Sequence, residues 1–476
     1  MRYLQLALAL SALSLTQCTS LSLEECRNSD WYTLGLGVSM TESTDWPKPR
    51  VAWYAVAVLL LAYTCSFIDR TILSLLVEPI KADLGLSDTE IGMLHGLAFA
   101  LFYTLMGIPI AMLADRYSRR TIIAGGIAFW SIATACCGLA NRFSHLFIAR
   151  VGVGVGEAAL SPAAFSLLAD SFPPQKIGRA LSVYSTGVFL GAGLAFIIGG
   201  AVIGLIKGSD GIELPLVGQV EAWQAAFIIV GLPGLLLALL VLTIAEPIRR
   251  DADKAPAPPV AKVFGYLAEH PRLFFCHFLG FALLSAAFNA VSGWGPAFLQ
   301  RQFQADAPTA GLGLGIAVLV FGTAGLLVGG WLTDRGRQRG WLDAALRVGV
   351  LSGLGLIPFG LLATSADSVW QAVLWLCPFM FFASMAFGGA AAAIQLVAPV
   401  RMRAVVSALY LFFNNLLGIG LGPMVVALVT DYVFVDEKML SASIAWVTSS
   451  MGLLAALVLY WGLRPYRSAL EMTRGE

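Results

Sequence analysis

Apolar residues fall in twelve long blocks along the chain, at about 52–80, 89–113, 121–140, 144–170, 177–206, 222–245, 271–300, 309–333, 343–363, 369–395, 403–431 and 440–463. Each is long enough to cross a hydrocarbon layer of ~30 Å as an α-helix. The pattern therefore predicts an all-α membrane protein with twelve transmembrane helices. One polar interruption stands out. Glu246-Pro-Ile-Arg-Arg-Asp-Ala-Asp-Lys-Ala-Pro-Ala-Pro-Pro259 is charged and proline-rich, so it reads as a linker that cannot span. A short amphipathic piece, about Ala261–His270, follows it and is expected to lie along the membrane surface. The expected organisation is a leader at 1–50, a six-helix bundle at 51–245, a linker at 246–270, a second six-helix bundle at 271–463 and a tail at 464–476.

The two bundles carry an internal repeat. Ile110-Ala-Met-Leu-Ala-Asp115-Arg116-Tyr-Ser-Arg119-Arg120 follows the second block, and Gly329-Gly-Trp-Leu-Thr-Asp334-Arg335-Gly-Arg337-Gln-Arg339 follows the eighth. Both read Leu-x-Asp-Arg and then basic residues, at equivalent places in two pseudo-symmetric halves. Parallel six-helix halves flanking a midplane site are the architecture of alternating-access transport. A carboxylate at a helix end, facing arginines and a neighbouring helix N-terminus, can hold one side of such a protein shut. Asp115, Arg116, Arg119, Arg120, Asp334 and Arg335 are therefore the expected inner gate; plain topological charge is the bland alternative.

Composition agrees with the pattern: 58% of residues are hydrophobic and 12% charged, against about 25% charged in soluble domains. The net charge of +1 says little; its distribution says more. Arginine and lysine crowd one set of alternate loops (Arg116, Arg119, Arg120; Lys176, Arg179; Arg249, Arg250, Lys254, Lys262; Arg335, Arg337, Arg339; Arg401, Arg403) and both tails. The positive-inside rule then places both termini in the cytoplasm of a cell membrane, a bacterial inner membrane by the compact architecture. Residues 1–39 resemble a secretory signal with a faint lipobox at Leu15-Thr16-Gln17-Cys18, but Gln17 fits poorly and export would misplace Lys48 and Arg50. They are read as an upstream extension and assigned no function. The seven cysteines show neither metal spacing nor a disulfide framework. No nucleophile–base pair or metal cluster supports an enzyme. No cofactor or nucleic-acid partner is expected, and the chain reads as a monomer among membrane lipids.

The chemistry sits where charge interrupts apolar blocks. Asp69 and Arg70 lie inside the first block, and a charge near the centre of a span costs at least ~2.5–3.5 kcal/mol. Arg150-Val-Gly-Val-Gly-Val-Gly-Glu157 interrupts the fourth. Arg150 and Glu157 are two helical turns apart, hence on one face, and Glu157 lies ~18 Å along the helix from His145, near mid-bilayer. The expectation is a single buried polar site in which Asp69, clamped by Arg70, and Glu157 carry coupling protons. Arg70 or Arg150 would pair with the acids or with a substrate head group. The alternative is an ion-pair network that only locks helices together. His95 and His277 read as packed, hydrogen-bonded residues, and the Gly-x-Gly-x-Gly strings at 152–156, 311–315 and 418–422 as close helix packing. The second half offers Asn289, Trp294, Gln395, Asn414 and Asn415 with Phe281, Phe288, Phe412 and Phe413. A cavity charged on one wall and apolar on the other suits an amphipathic anion, bound through Arg70, Arg150, Phe288, Asn289, Trp294, Phe412 and Asn414.

From about Trp53 to Leu463 the chain resembles the major facilitator superfamily, on Asp115-Arg116…Arg119-Arg120 and on the Arg150…Glu157 run, although Ala111 and Ser118 stand where glycines are usual. Within it the chain resembles the Spinster family of lysolipid and sphingosine-phosphate transporters. Phe67-Ile-Asp69-Arg70, Glu157-Ala-Ala…Pro162…Leu168-Ala-Asp170-Ser-Phe172, Trp294-Gly-Pro-Ala-Phe-Leu299, Pro399-Val-Arg-Met-Arg403-Ala and Gly418…Gly422-Pro423…Thr430-Asp431 carry that likeness. The resemblance implies a proton-coupled carrier of lysophospholipid-like anions. An Asp-Arg pair in the first helix also occurs in organic anion symporters of the superfamily, so a small soluble acid stays open as cargo. The fifth helix, Gly187-x-x-x-Gly191-Ala192, lacks the proline of the antiporter-associated motif, which therefore lends no support to export.

Overall fold

The computed structural model describes residues 46–206, 212–214, 218–249, 260–399 and 402–475. Residues 1–45 of the leader expected at 1–50, and 250–259 of the linker expected at 246–270, lie outside the described residues. Among the described residues, twelve helices are long and apolar enough to cross a membrane: α1 Pro49–Leu75, α2 Asp88–Arg116, α3 Arg119–Cys137, α4 Phe143–Ser171, α5 Gln175–Leu205, α6 Ala222–Val241, α7 Pro271–Phe303, α8 Ala307–Gln338, α9 Ala344–Thr364, α10 Val369–Val397, α11 Val405–Phe434 and α12 Glu437–Glu471. A short helix, Val260–Glu269, stands just before α7, where an amphipathic piece was expected.

Local sequence explains several boundaries. Pro49 and Pro271 occupy first-turn positions, where the missing N–H is no loss. Ser87 and Glu90 form a reciprocal capping box at the start of α2. Asp306 caps α8 by accepting from the Thr309 N–H at 2.9 Å. Gly340, at φ +86°, takes the left-handed conformation that turns the chain from α8 to α9.

Three features depart from twelve uninterrupted rods. The first block does not run on to residue 80 as one helix, because it breaks at Leu76 and resumes as a separate helix, Val77–Leu84. Between α5 and α6 two short strands, β1 (Ile212–Leu214) and β2 (Gly218–Val220), pair antiparallel. Wide π-helical turns interrupt α2 at Met93–Leu97, α8 at Ala317–Gly322 and α11 at Asn414–Leu421 and Val429–Phe434.

Glycines let the halves approach closely at one end. A Cβ on Gly96 of α2 would lie 2.1 Å from the Gly420 carbonyl of α11, and one on Gly311 of α8 would lie 2.3 Å from the Phe196 carbonyl of α5. A shared apolar core surrounds these crossings, with Ile72, Leu94 and Phe196 from the first half and Phe288, Trp294 and Leu314 from the second. A second core, including Val56, Trp130, Leu167 and Tyr184, draws its buried residues from the first half, with Ile419 of the second packed against it. Towards the end that bears most arginines, the segment Arg403–Phe413 that leads into α11 has its main packing within its own half, and so does Thr323–Gln338 of α8. The molecule is therefore shut at one end and open at the basic end.

Candidate functional site

Ser66, Asp69 and Arg70 share one stretch of α1, and their partners come from α3 and α4. Arg70 Nη2 donates to Glu157 Oε2 at 2.6 Å, and Ser66 Oγ donates to the same oxygen at 2.9 Å. Asp69 faces elsewhere: its Oδ2 accepts from the Trp130 indole N–H at 2.9 Å. The expected clamp of Asp69 by Arg70 is thus replaced by an Arg70–Glu157 pair. The reason is geometric. Neighbouring residues on an α-helix point in different directions, whereas positions four apart share a face, so Ser66 and Arg70 look together at α4 while Asp69 looks at α3.

Arg150 is fully buried yet pairs with neither acid's carboxylate. Its guanidinium donates to the main-chain carbonyls of Asp69 at 3.2 Å and Arg70 at 3.3 Å, tying α4 to α1. Glu157 ends the first helical segment of α4; the next begins at Leu160. Phe99 of α2 completes the cluster, with the Arg70 guanidinium 4.2 Å from its ring centroid and that of Arg150 6.0 Å away. Formal charges within the cluster cancel, two against two. Glu157 Oε1, Asp69 Oδ1, Arg70 Nε and Arg150 Nε are nevertheless buried without a hydrogen-bond partner, so the network is incompletely satisfied.

Of the four, only Arg70 reaches towards open space; its side chain is 17% exposed while that of Glu157 is 1%. It borders a cavity of about 50 Å³ on the seam between halves, with His95, Asn289, Ser292, Ile419 and Pro423 around it. The second half thus adds amides, hydroxyls and apolar surface here, without an ionised group. Asn289 spends its amide N–H on the Ser285 carbonyl at 2.8 Å, one turn back on its own helix. Asn414 is buried with Oδ1 unpartnered. Phe288 sits between Phe189 of α5 and Phe387 of α10, at ring-centroid distances of 6.0 and 5.8 Å, and Phe412 is half-buried beside Phe413. Trp294 is fully buried, its indole donating to the Pro423 carbonyl at 2.8 Å, which pins α7 to α11. His277 Nε2 lies 3.0 Å from the Ala390 carbonyl.

Charges at the two ends behave differently. At the basic end Asp115, Arg116, Asp334 and Arg335 are all exposed. Arg119 is instead buried within its own half, held by Asp170 and by Glu246, whose Oε1 accepts from its Nε at 2.8 Å. Arg120 donates to the carbonyls of Ile244 at 3.0 Å and Leu242 at 3.3 Å. At the shut end the halves are joined by charge. Arg301 of α7 meets Asp88 and also Glu78, the latter at 2.7 Å. Lys81 bridges Asp88 and Glu437, and Asp431 accepts from the Thr89 N–H and hydroxyl, each at 2.6 Å. The sequence reading passed over this network because its acids fall at helix ends and in loops. Trp130 and Ser66 were also missed; Ser66, four residues before Arg70, was the one legible from spacing.

The sequence profile of the Major Facilitator Superfamily matches residues 59–423. An MFS-type efflux pump of Mycolicibacterium smegmatis is 34% identical over 442 residues, covering 91% of this chain and 98% of that protein. Protein spinster homolog 1 of Bos taurus is 31% identical over 255 residues, 52% of this chain and 45% of that one. A crystal structure of a bacterial homolog to the human lysosomal transporter Spinster, inward-facing and unoccupied, superposes with a TM-score of 0.72 at 28% identity, over 89% of this chain and 98% of that one.

Proposed function

The chain belongs to the Major Facilitator Superfamily and is a multi-pass secondary transporter, and on that premise we propose that it moves lysophospholipid-like or other amphipathic anions, coupled to protons, with its basic end in the cytoplasm. One observation carries this reading: Arg70 is bonded to Glu157 yet partly exposed to a cavity whose far wall bears no charge. A buried ion pair is costly to keep unless its partners are well matched. Here each carboxylate retains one oxygen without a donor. Those oxygens are where a proton would sit.

Protonation of Glu157 removes the charge that occupies Arg70. The guanidinium then becomes available to an anionic head group, and loss of the proton lets Glu157 reclaim it. Proton and cargo are thereby linked through one cation. Asp69, held by Trp130 beside this pair, is the second proton carrier in the reading. Arg150 fixes the backbone that presents both residues. The apolar wall, with Phe288 and Phe412, would take the acyl chain.

Counterflow in proteoliposomes, with a homologous series of lysolipids as competitors, tests the cargo class. Each fully buried methylene contributes about 0.8 kcal/mol, so potency should rise with every added carbon until the cavity is filled, and Phe412→Ala should flatten that slope. Potency indifferent to chain length, with a small organic acid competing as well, would replace this reading with an organic anion–proton symporter.

A further inference from the structure

A second cavity lies far from Arg70. Helices α9 and α12 pack along their length, but at the basic end they leave a groove of about 910 Å³, lined by Trp341, Arg347, Tyr460, Trp461, Arg464 and Arg467. The spacing builds it. Arg347 follows Asp343 by one helical turn on α9, and Tyr460, Arg464 and Arg467 follow the i, i+4, i+7 rule on α12, so two stripes face each other.

Asp343 is fully buried and organises the cations. It meets Arg347 Nε at 2.8 Å and Arg467 Nε at 3.0 Å. Arg347 Nε donates to Asp343 Oδ1, whereas Arg467 Nε stands beside Oδ2 as an ion pair without a hydrogen bond, so hydrogen-bonding capacity remains on both guanidiniums for another acceptor, and both side chains are about two-fifths exposed. Arg464 is exposed as well. Three arginines against one carboxylate leave a local excess of two positive charges. Trp341 lies under Arg347 with 5.0 Å between ring centroid and guanidinium carbon, and Arg272 lies 5.6 Å from the Trp461 ring.

The surroundings of these cations are those of a bilayer face. Tyr460 and Trp461 are largely exposed, and aromatic residues of this kind concentrate at membrane interfaces. Away from the basic end, exposed Leu453 and Leu457 on α12 and Leu351 and Leu354 on α9 continue from the groove. A cationic pocket, an aromatic rim and an apolar track thus follow one another along the same two helices.

We propose that this groove binds the head group of an anionic phospholipid from the surrounding bilayer, with its acyl chains along the exposed leucines. Guanidinium forks match phosphate oxygens in pairs, and basic pockets between transmembrane helices are suited to acidic head groups. The excess charge selects against zwitterionic lipids. The site is separate from the cargo site and does not depend on what the cargo is.

The full chain in nanodiscs containing chain-brominated phosphatidylglycerol or chain-brominated phosphatidylcholine tests this through tryptophan quenching. At equal mole fraction the phosphatidylglycerol should quench more strongly, and Trp461→Phe should remove most of the difference. Arg464→Gln, at an exposed position outside the Asp343 pair, should lower the preference on the order of fivefold, and Arg464→Glu should abolish it. Inorganic phosphate in the buffer should not compete. Equal quenching by the two lipids, a preference unchanged in Arg464→Glu, or competition by millimolar phosphate would overturn the proposal, the last by making this a site for soluble anions.

Discussion

Arg301 meets Asp88 with both ends of its guanidinium, Nη1 to Oδ2 and Nη2 to Oδ1, each at 2.7 Å, and the two residues belong to different halves of the molecule. Asp88 is fully buried and also holds Lys81, which reaches on to Glu437. The shut end is therefore latched by a two-point contact at its centre. Removing one partner of a buried pair costs about 3–5 kcal/mol, most of it charged to the shut state. Arg301→Gln should populate conformations open at this end. Distances between spin labels at the exposed positions Ala82 and Gln302 should lengthen and broaden; unaltered distributions would remove the latch assignment.

Glu157→Gln should abolish the pH dependence of transport while the protein stays folded and monodisperse. The amide can still accept from Ser66 and Arg70, but it cannot take or release a proton. Uptake or efflux is to be compared across imposed pH gradients. A mutant driven by the gradient as strongly as the native protein would exclude Glu157 from coupling.

Asp115 and Asp334 stand exposed where the halves are parted, so their contribution is expected in the opposite conformation, when the basic end closes. Asp115→Ala and Asp334→Ala should each raise the share of molecules open at that end. Labels on the loops after α2 and α8 would report it, and no change in either variant would reduce these residues to topological charge.

Glu246 opens the linker that follows α6, and caps α3 from outside. Its oxygens accept from the Arg119 and Arg120 N–H groups at 3.2 and 3.1 Å, and from Ser118 Oγ at 2.9 Å. Burial pushes its carboxyl up, but the Arg119 guanidinium and these N–H donors outweigh that and hold it below the usual carboxylate range. A depressed value stabilises the fold above the ordinary carboxylate range, and that stability is lost as pH falls through the lowered value. Glu246→Gln should therefore lower Tm at neutral pH, with a cost of about 2 kcal/mol for weakened charge-assisted bonds. The gap from the native protein should close in strong acid. A gap of constant size across the titration would show that charge at Glu246 is not what matters.

How much of this was legible in the sequence depends on which physical constraint wrote it. Membrane thickness writes spans in plain length and apolarity, so twelve helices and two halves could be counted. The break at Leu76, the strand pair at 212–214 and 218–220 and the π turns leave composition unchanged and were invisible. In the site, the cost of buried charge marked Asp69, Arg70, Arg150 and Glu157, and these four do converge. Their pairing was misread because chain adjacency was taken for contact. Asp69 and Arg70 diverge on their helix, and Asp69's actual partner is an indole N–H on Trp130, a residue that apolar patterning files under packing. Arg119 was placed in the gate by its motif position, yet its bonds run to Asp170 and Glu246 in its own half.

The π turns at Met93–Leu97 and Asn414–Leu421 lie where α2 and α11 touch, at Gly96 and Gly420. Each such turn keeps one residue in reserve beyond the 3.6 of an α turn. Should a turn surrender that residue and return to α geometry, the segment beyond it would spin by about 100° about its own axis, the angular share of a single residue. On α2 that spin would carry Leu105, Ile108 and Met112, all exposed, to a new bearing. Axial rotation, and not only tilting, is thereby open to both helices as a way of changing the surface each half offers the other.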